Sequence, residues 1–191
     1  MLQRPFLLPR RTTLMSDLWI FGYGSLMWRP GFDYAESAPA RLDGLHRALC
    51  VYSWVHRGTR ERPGLVLGLD RGGSCRGVAY RVSAQDREQV VAYLRERELV
   101  TQVYREVWWT IRFPDGRRPP VRALTYRADR AHVQYAGRLP RERLLALVSG
   151  SSGQSGANRD YVLNTAAHLN SLGLNDALLD WLAAELKNAD G

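Results

Sequence analysis

The stretch Trp19–Trp28, WIFGYGSLMW, runs an apolar strand straight into a glycine turn. Leu18–Phe21 (LWIF) has no polar position, the pattern of a strand covered on both faces. Gly22-Tyr23-Gly24-Ser25 interrupts it at once. Glycines at such a place allow a sharp reversal, a positive φ or a close backbone approach to a ligand. The residues alone leave two readings: a turn that ends a core strand, or a loop shaped to hold a small molecule.

Outward from this stretch, strand signals dominate the first two-thirds of the chain. A strand is expected near the end of Arg41–Ser53 (RLDGLHRALCVYS). Gly64–Asp70 (GLVLGLD) and Cys75–Val82 (CRGVAYRV) follow as two more, separated by a turn at Arg71-Gly72-Gly73. Glu106–Phe113 (EVWWTIRF) alternates, with Val107, Trp109, Ile111 and Phe113 on one face and Thr110 and Arg112 on the other. PDGRRPP then reverses the chain, and Val121–Arg127 returns as the second arm of a hairpin.

Ser83, with Asp86 three residues on, reads as the capping box of a helix running to about Arg97. Further helices are expected over Pro140–Leu147, about Asn158–Leu169 and Asp176–Lys187, the last with Leu178, Trp181, Leu182 and Leu186 on its apolar face. Strands in neighbouring runs and clustered helices specify an α+β fold around a mainly antiparallel sheet or barrel.

Composition narrows the class. A chain of 191 residues reads as one domain able to bury a core, here over residues 17–191. The first sixteen residues carry three arginines and no acid, but Pro5 and Pro9 break their short apolar run. They read as a disordered leader, or as an over-long start with initiation at Met15. No apolar run is long enough to cross a bilayer, so no membrane partner is expected. The net charge of +8 raises nucleic acid as a partner, yet no recognition module accompanies it. Lys187 is the single lysine, and the arginines are spread along the whole chain. Cys50 and Cys75, with four scattered histidines, make no metal-ligand spacing. No metal or cofactor is expected, a disulfide is unneeded at this size, and a reducing cytoplasm is the expected compartment.

Four candidates for chemistry stand out. Gly22-Tyr23-Gly24 resembles the start of a dinucleotide fingerprint, but the third glycine is replaced by Met27 and no helix follows at once. Ser25 beside Gly24 raises a nucleophile elbow, G-x-S-x-G, but the order here is Gly24-Ser25-Leu26-Met27-Trp28, with no glycine after the serine. Glu98 is different. Val90, Val91 and Leu94 form an apolar stripe at helical spacing, and four residues on the stripe lands on a glutamate. Either a carboxylate enters the interior, where burial would raise its pKa toward neutrality and suit it to acid–base work, or the frayed helix end simply pairs with a nearby arginine. Ser149–Tyr161 (SGSSGQSGANRDY), a loop rich in glycine and serine, enters a helix near Asn158 and reads equally as linker or ligand loop.

Taken together, five blocks resemble the ChaC-type, glutathione-specific γ-glutamylcyclotransferases. They are FGYGSLMWRPGF (Phe21–Phe32), VHRGTRERPGLVLGLD (Val55–Asp70), CRGVAYRV (Cys75–Val82), YLRERELV (Tyr93–Val100) and SGQSGANRDYVLNT (Ser152–Thr165), in the family's order. The resemblance implies a γ-glutamylcyclotransferase-like fold, a small mixed, mainly antiparallel β-barrel with flanking helices. It implies cofactor-free release of 5-oxoproline and Cys-Gly from glutathione as the small-molecule substrate. It maps the catalytic glutamate onto Glu98. It also implies that the turn lines the substrate pocket, through Ile20, Phe21, Gly22, Tyr23, Gly24, Ser25 and Leu26. Ser25 is then a binder rather than a nucleophile. Tyr161 is a further candidate for the pocket, and Arg57 either meets a substrate carboxylate or makes a surface salt bridge. The same signature leaves open related γ-glutamyl amines or dipeptides as substrates, and nothing in it identifies the residues that read the Cys-Gly end.

Overall fold

The computed structural model describes residues 16–189, so the leader expected over residues 1–16 lies, but for Ser16, outside the described residues. Strand β1 (Leu18–Gly22) is followed by a single 3-10 turn, Ser25–Met27. Strands β2 (Glu36–Ser53) and β3 (Gly64–Val82) form a long hairpin, and helix α1 (Arg87–Glu98) leads to the hairpin of β4 (Tyr104–Arg112) and β5 (Val121–Ala128). Helix α2 (Arg141–Gly150), a minimal ribbon of β6 (Ser152–Gly153) and β7 (Gly156–Ala157), α3 (Asn158–Ser171) and α4 (Ala177–Asn188) complete the chain.

Five strands close into a barrel in the order β1-β3-β2-β4-β5. Every pairing is antiparallel except the closing one, where Trp19 and Ile20 of β1 run parallel to Ala123 and Leu124 of β5. The mixed, mainly antiparallel barrel with flanking helices expected from the sequence is the fold observed. The alternation in β4 also holds: Ile111 and Phe113 are buried while Arg112 is exposed. Leu179, Leu182 and Leu186 bury the inner face of α4. Trp181 instead lies at the margin of that face, its ring covered by the Arg141 guanidinium at 4.7 Å.

The expected turn at Arg71-Gly72-Gly73 is not a turn. β3 continues through it, and the chain reverses instead between Ser53 and Gly64. Gly72 and Gly73 take φ of 94° and 65°, facing Gly44 at 89° on β2, where the register slips between Asp43 and Leu45. Left-handed glycines here build a bulge that bends the ribbon, so that both halves of the hairpin wrap the core. The capping box is displaced too. Ser83 Oγ accepts from Asp86 N at 3.3 Å and donates to Asp86 Oδ2 at 2.7 Å, holding the turn before α1, which begins only at Arg87.

From Gly64 to Gly77, β3 pairs with β2 alone, because β1 meets only Val78–Val82. The orphaned edge is satisfied by side chains. The amide of Asn158, fully buried at the first position of α3, accepts from Leu65 N and donates to Leu65 O, both at 2.7 Å. Two residues on, Tyr161 Oη accepts from Leu67 N at 3.1 Å and Tyr104 Oη donates to Leu67 O at 2.6 Å. Side chains thus complete the edge as a strand would, and they fix α3 against the barrel. Cys50 and Cys75 are buried free thiols, and no helix among the described residues is long and apolar enough to cross a membrane.

Replacing Asn158 by alanine strands both polar groups of Leu65 in the interior. Urea denaturation should show a loss of about 2–4 kcal/mol for Asn158→Ala, whereas Asn164→Ala, on the exposed side of the same helix, should stay within about 0.5 kcal/mol.

Candidate active site

Where β1 leaves the edge of β3, a cavity of about 720 Å³ opens. Its walls are the glycine turn, the β2–β3 loop, the end of α1, the inner ends of β4 and β5, and one face of α3. Of the residues the sequence assigned to the pocket, Tyr23, Gly24, Ser25, Leu26, Arg57, Glu98 and Tyr161 are brought to this cavity. Ile20, Phe21 and Gly22 are not: they precede the departure of the chain from the barrel, and their side chains or backbone fill its interior.

The two glycines of the turn therefore do different work. A Cβ at Gly22 would lie 3.0 Å from Leu26 Cβ, so this glycine allows the chain to fold tightly back on itself. A Cβ at Gly24 would meet only Leu67 Cδ1 at 3.8 Å, because that position faces the open cavity. The turn is clamped from several sides. Arg47 Nε donates to Tyr23 O at 2.6 Å, Tyr80 Oη to Met27 O at 2.7 Å, and Arg97 Nη2 to Ser25 Oγ at 2.9 Å.

Glu98 is the last residue of α1, and its side chain is 18 % exposed. Among the described residues no hydrogen bond reaches its carboxylate; Arg97 Nε lies 3.2 Å from Oε1 without the alignment of one. The two sequence readings of Glu98 thus both apply: the carboxylate enters the cavity wall and also meets an arginine. Burial raises its pKa, and the neighbouring Arg97 only partly opposes this. The phenols of Tyr23, Tyr104, Tyr126 and Tyr161 also feel its charge, and all four are pushed up, chiefly by their own burial. They stay neutral hydroxyls around the Glu98 carboxylate, the Tyr126 hydroxyl also donating to Glu106 Oε2 at 3.4 Å.

The hydrogen bonds already made determine what each hydroxyl still offers. Tyr104 gives its hydrogen to Leu67 O and presents lone pairs, whereas Tyr161 accepts from Leu67 N and keeps its hydrogen. Arg57 makes no ion pair among the described residues. Nη1 donates to Ser155 O and Ala157 O, and the guanidinium lies 5.3 Å from the Tyr161 ring centroid. Gln154 N and Ser155 N donate to Val55 O and His56 O, so the second small-residue loop is laced to the β2–β3 loop as a cavity wall rather than left as a linker. Toward the rim, Trp28 and His168 stack with centroids 4.5 Å apart. No grouping of His, Cys, Asp and Glu able to hold a metal occurs among the described residues.

Sequence reasoning missed Arg47, Arg97, Tyr104 and Asn158. Arg97 could have been found, since it sits four residues from Tyr93 and next to Glu98; the other three carry no local signal.

The closed five-strand barrel with flanking helices is the fold of solved γ-glutamyl cyclotransferases. The crystal structure of the selenomethionine-labelled cyclotransferase specific to glutathione from yeast superposes with a TM-score of 0.79, at 20% identity, covering 91% of this chain and 96% of that one. The chain belongs to the ChaC-like protein family, whose model matches residues 18–189. It is 36% identical over 170 residues to the glutathione-specific gamma-glutamylcyclotransferase of Escherichia coli (strain K12), covering 89% of this chain and 73% of that protein. It is also 36% identical over 160 residues to glutathione-specific gamma-glutamylcyclotransferase 1 of Homo sapiens, covering 83% and 72%.

Two predictions separate packing from pocket and charge from fold. Gly22→Ala should destabilise the protein by about 1–3 kcal/mol through overpacking, while Gly24→Ala should leave its Tm unchanged and narrow the cavity. The folded state favours the protonated form of Glu98, because its pKa is raised above the ordinary 4.5. Stability from this group is therefore full below the unfolded pKa and is lost as pH rises through the folded one. Glu98→Gln should exceed the wild type in Tm near about pH 7, with the gap closing toward about pH 4.

Proposed function

We propose that this protein cyclises the γ-glutamyl group of glutathione, releasing 5-oxoproline and cysteinylglycine, with Glu98 carrying the protons. The observation that carries this reading is the Glu98 carboxylate, which faces the cavity, accepts no hydrogen bond among the described residues and has a raised pKa. The relatives' names supply the substrate.

Nucleophile and electrophile belong to one molecule, so a curled conformer held in the cavity supplies much of the acceleration by proximity. The substrate's α-ammonium gives a proton to Glu98. The freed amine attacks the γ-carbonyl carbon and closes a five-membered ring. Collapse of the tetrahedral intermediate breaks the bond to the cysteinyl nitrogen. The ammonium sheds two protons in becoming a lactam N–H, and the departing nitrogen gains two in becoming an ammonium, so Glu98 ends as it began. A carboxyl whose pKa is shifted toward neutrality suits both directions of transfer.

The turn supplies the electrostatics. Backbone N–H groups of Tyr23–Ser25 and the Ser25 hydroxyl stabilise the oxyanion on the γ-carbonyl, and Gly24 leaves the room for it. Tyr161 keeps a hydrogen for a substrate oxygen. Arg57, which has no acidic partner among the described residues, meets a substrate carboxylate.

Purified protein incubated with glutathione should yield 5-oxoproline and Cys-Gly in equal amounts by mass spectrometry. Glu98→Gln, still folded, should lose about 10²–10⁴-fold in kcat, and Gly24→Ala should raise KM. Wild-type protein that left glutathione intact but cyclised γ-glutamyl amines would change the substrate and keep the chemistry. A Glu98→Gln variant as fast as wild type would end this mechanism.

A further inference from the structure

Arg97 adjoins Glu98 in sequence, yet its guanidinium reaches across to a segment some seventy positions earlier. Nη2 donates to Ser25 Oγ at 2.9 Å. Nη1 donates to Arg29 O at 2.6 Å, Pro30 O at 3.1 Å and Tyr93 Oη at 3.2 Å. Nε lies 3.2 Å from Glu98 Oε1. One planar group thus touches the glycine turn, the chain leaving it, and the carboxylate.

We infer that Arg97 is a positioning residue for the cyclisation, holding the Ser25 hydroxyl and the Glu98 carboxylate in fixed relation across the cavity. The inference rests on the reaction proposed above. A hydroxyl has one hydrogen and two lone pairs, and a guanidinium only donates. By occupying a lone pair of Ser25, Arg97 leaves its hydrogen as a donor, and among the described residues no acceptor takes it. The same contact polarises the O–H bond and strengthens it as a donor to developing negative charge.

A merely structural role for Arg97 is a poor account of these contacts. The two ends of the turn are held without it, at Tyr23 by Arg47 and at Met27 by Tyr80. Arg97 secures the middle and the exit, where Ser25 faces the cavity. A lysine would carry the charge but not the fork, since its ammonium is a compact point charge on a flexible stem. Charge and geometry can therefore be separated. The groups facing Glu98 from elsewhere are the phenols of Tyr23 in the turn, Tyr104 on β4, Tyr126 on β5 and Tyr161 on α3, all neutral, so Arg97 is the cation that acts on it. Arg95, one turn earlier, faces away and pairs with Glu106.

The test compares Arg97→Lys, Arg97→Met and Ser25→Ala with wild type, singly and with Ser25→Ala combined with Arg97→Lys. Kinetics on glutathione are measured across pH, and the Glu98 carboxyl is titrated by carbon-13 NMR, which needs no turnover. Arg97→Lys should lower kcat by about tenfold to a hundredfold with a smaller change in KM, and should leave the Glu98 titration near that of wild type. Arg97→Met should lower kcat similarly and move the Glu98 titration and the acid limb of kcat/KM to higher pH. Ser25→Ala should cost much less in the Arg97→Lys background than in wild type. Wild-type kcat in Arg97→Lys, or independent multiplication of the two substitutions, would overturn the inference. If wild type does not turn over glutathione, the proposed function fails on its own; an unmoved Glu98 titration in Arg97→Met would then dispose of the coupling as well. Should Arg97→Met not fold, Arg97→Lys and the double variant still decide the matter.

Discussion

The edge of β3 that β1 abandons is the constraint on which the rest of the structure depends. Buried backbone N–H and C=O groups must be paired, and a strand that turns away at Gly22 leaves those of Leu65 and Leu67 without a partner. A further strand would have paired them and filled the space. Here Asn158, Tyr161 and Tyr104 do so with side chains, which are narrower than a strand. The space left over is the cavity. The same bonds pin α3 to the barrel and settle which hydrogens and lone pairs two of the tyrosines present inside it.

Electrostatics within that space follow from burial more than from charge pairing. Desolvation raises Glu98 despite an arginine at 3.2 Å, and it raises the surrounding phenols as well. The result is a carboxylate with a raised pKa in a shell of neutral hydroxyls. A hydrogen bond delivered to the Glu98 carboxylate by the protein would have lowered its pKa. Among the described residues none does, so desolvation decides its titration.

The arginine-rich composition has a structural counterpart. Arg47 holds Tyr23 O and Arg76 O, Arg57 holds Ser155 O and Ala157 O, and Arg97 holds Arg29 O and Pro30 O. These forks gather backbone carbonyls from the segments around the cavity, Arg47 reaching also into β3 at Arg76. Others form ion pairs, as Arg130 does with Asp70 and Arg95 with Glu106. These arginines hold the loops in place.

What the sequence determined by itself was whatever depends on neighbours along the chain. Period-2 alternation placed β4, the turn after it placed β5 as its hairpin partner, an apolar face at helical spacing placed α4 to within a few residues, and the break in the apolar stripe singled out Glu98. Local signals misread the bulge at Gly72-Gly73 as a turn, because glycines with positive φ serve both, and only pairing with Gly44 across the ribbon distinguishes them. The family resemblance spread the pocket over Ile20–Leu26, whereas the cavity is lined only from Tyr23 onward, since nothing in that run marks where the chain leaves the barrel. Tertiary structure decided that boundary at Gly22. It alone joined Asn158 to Leu65, Tyr104 to Leu67 and Arg47 to Tyr23, because a backbone group left unpaired by one strand's departure can be satisfied only by whatever the fold brings beside it.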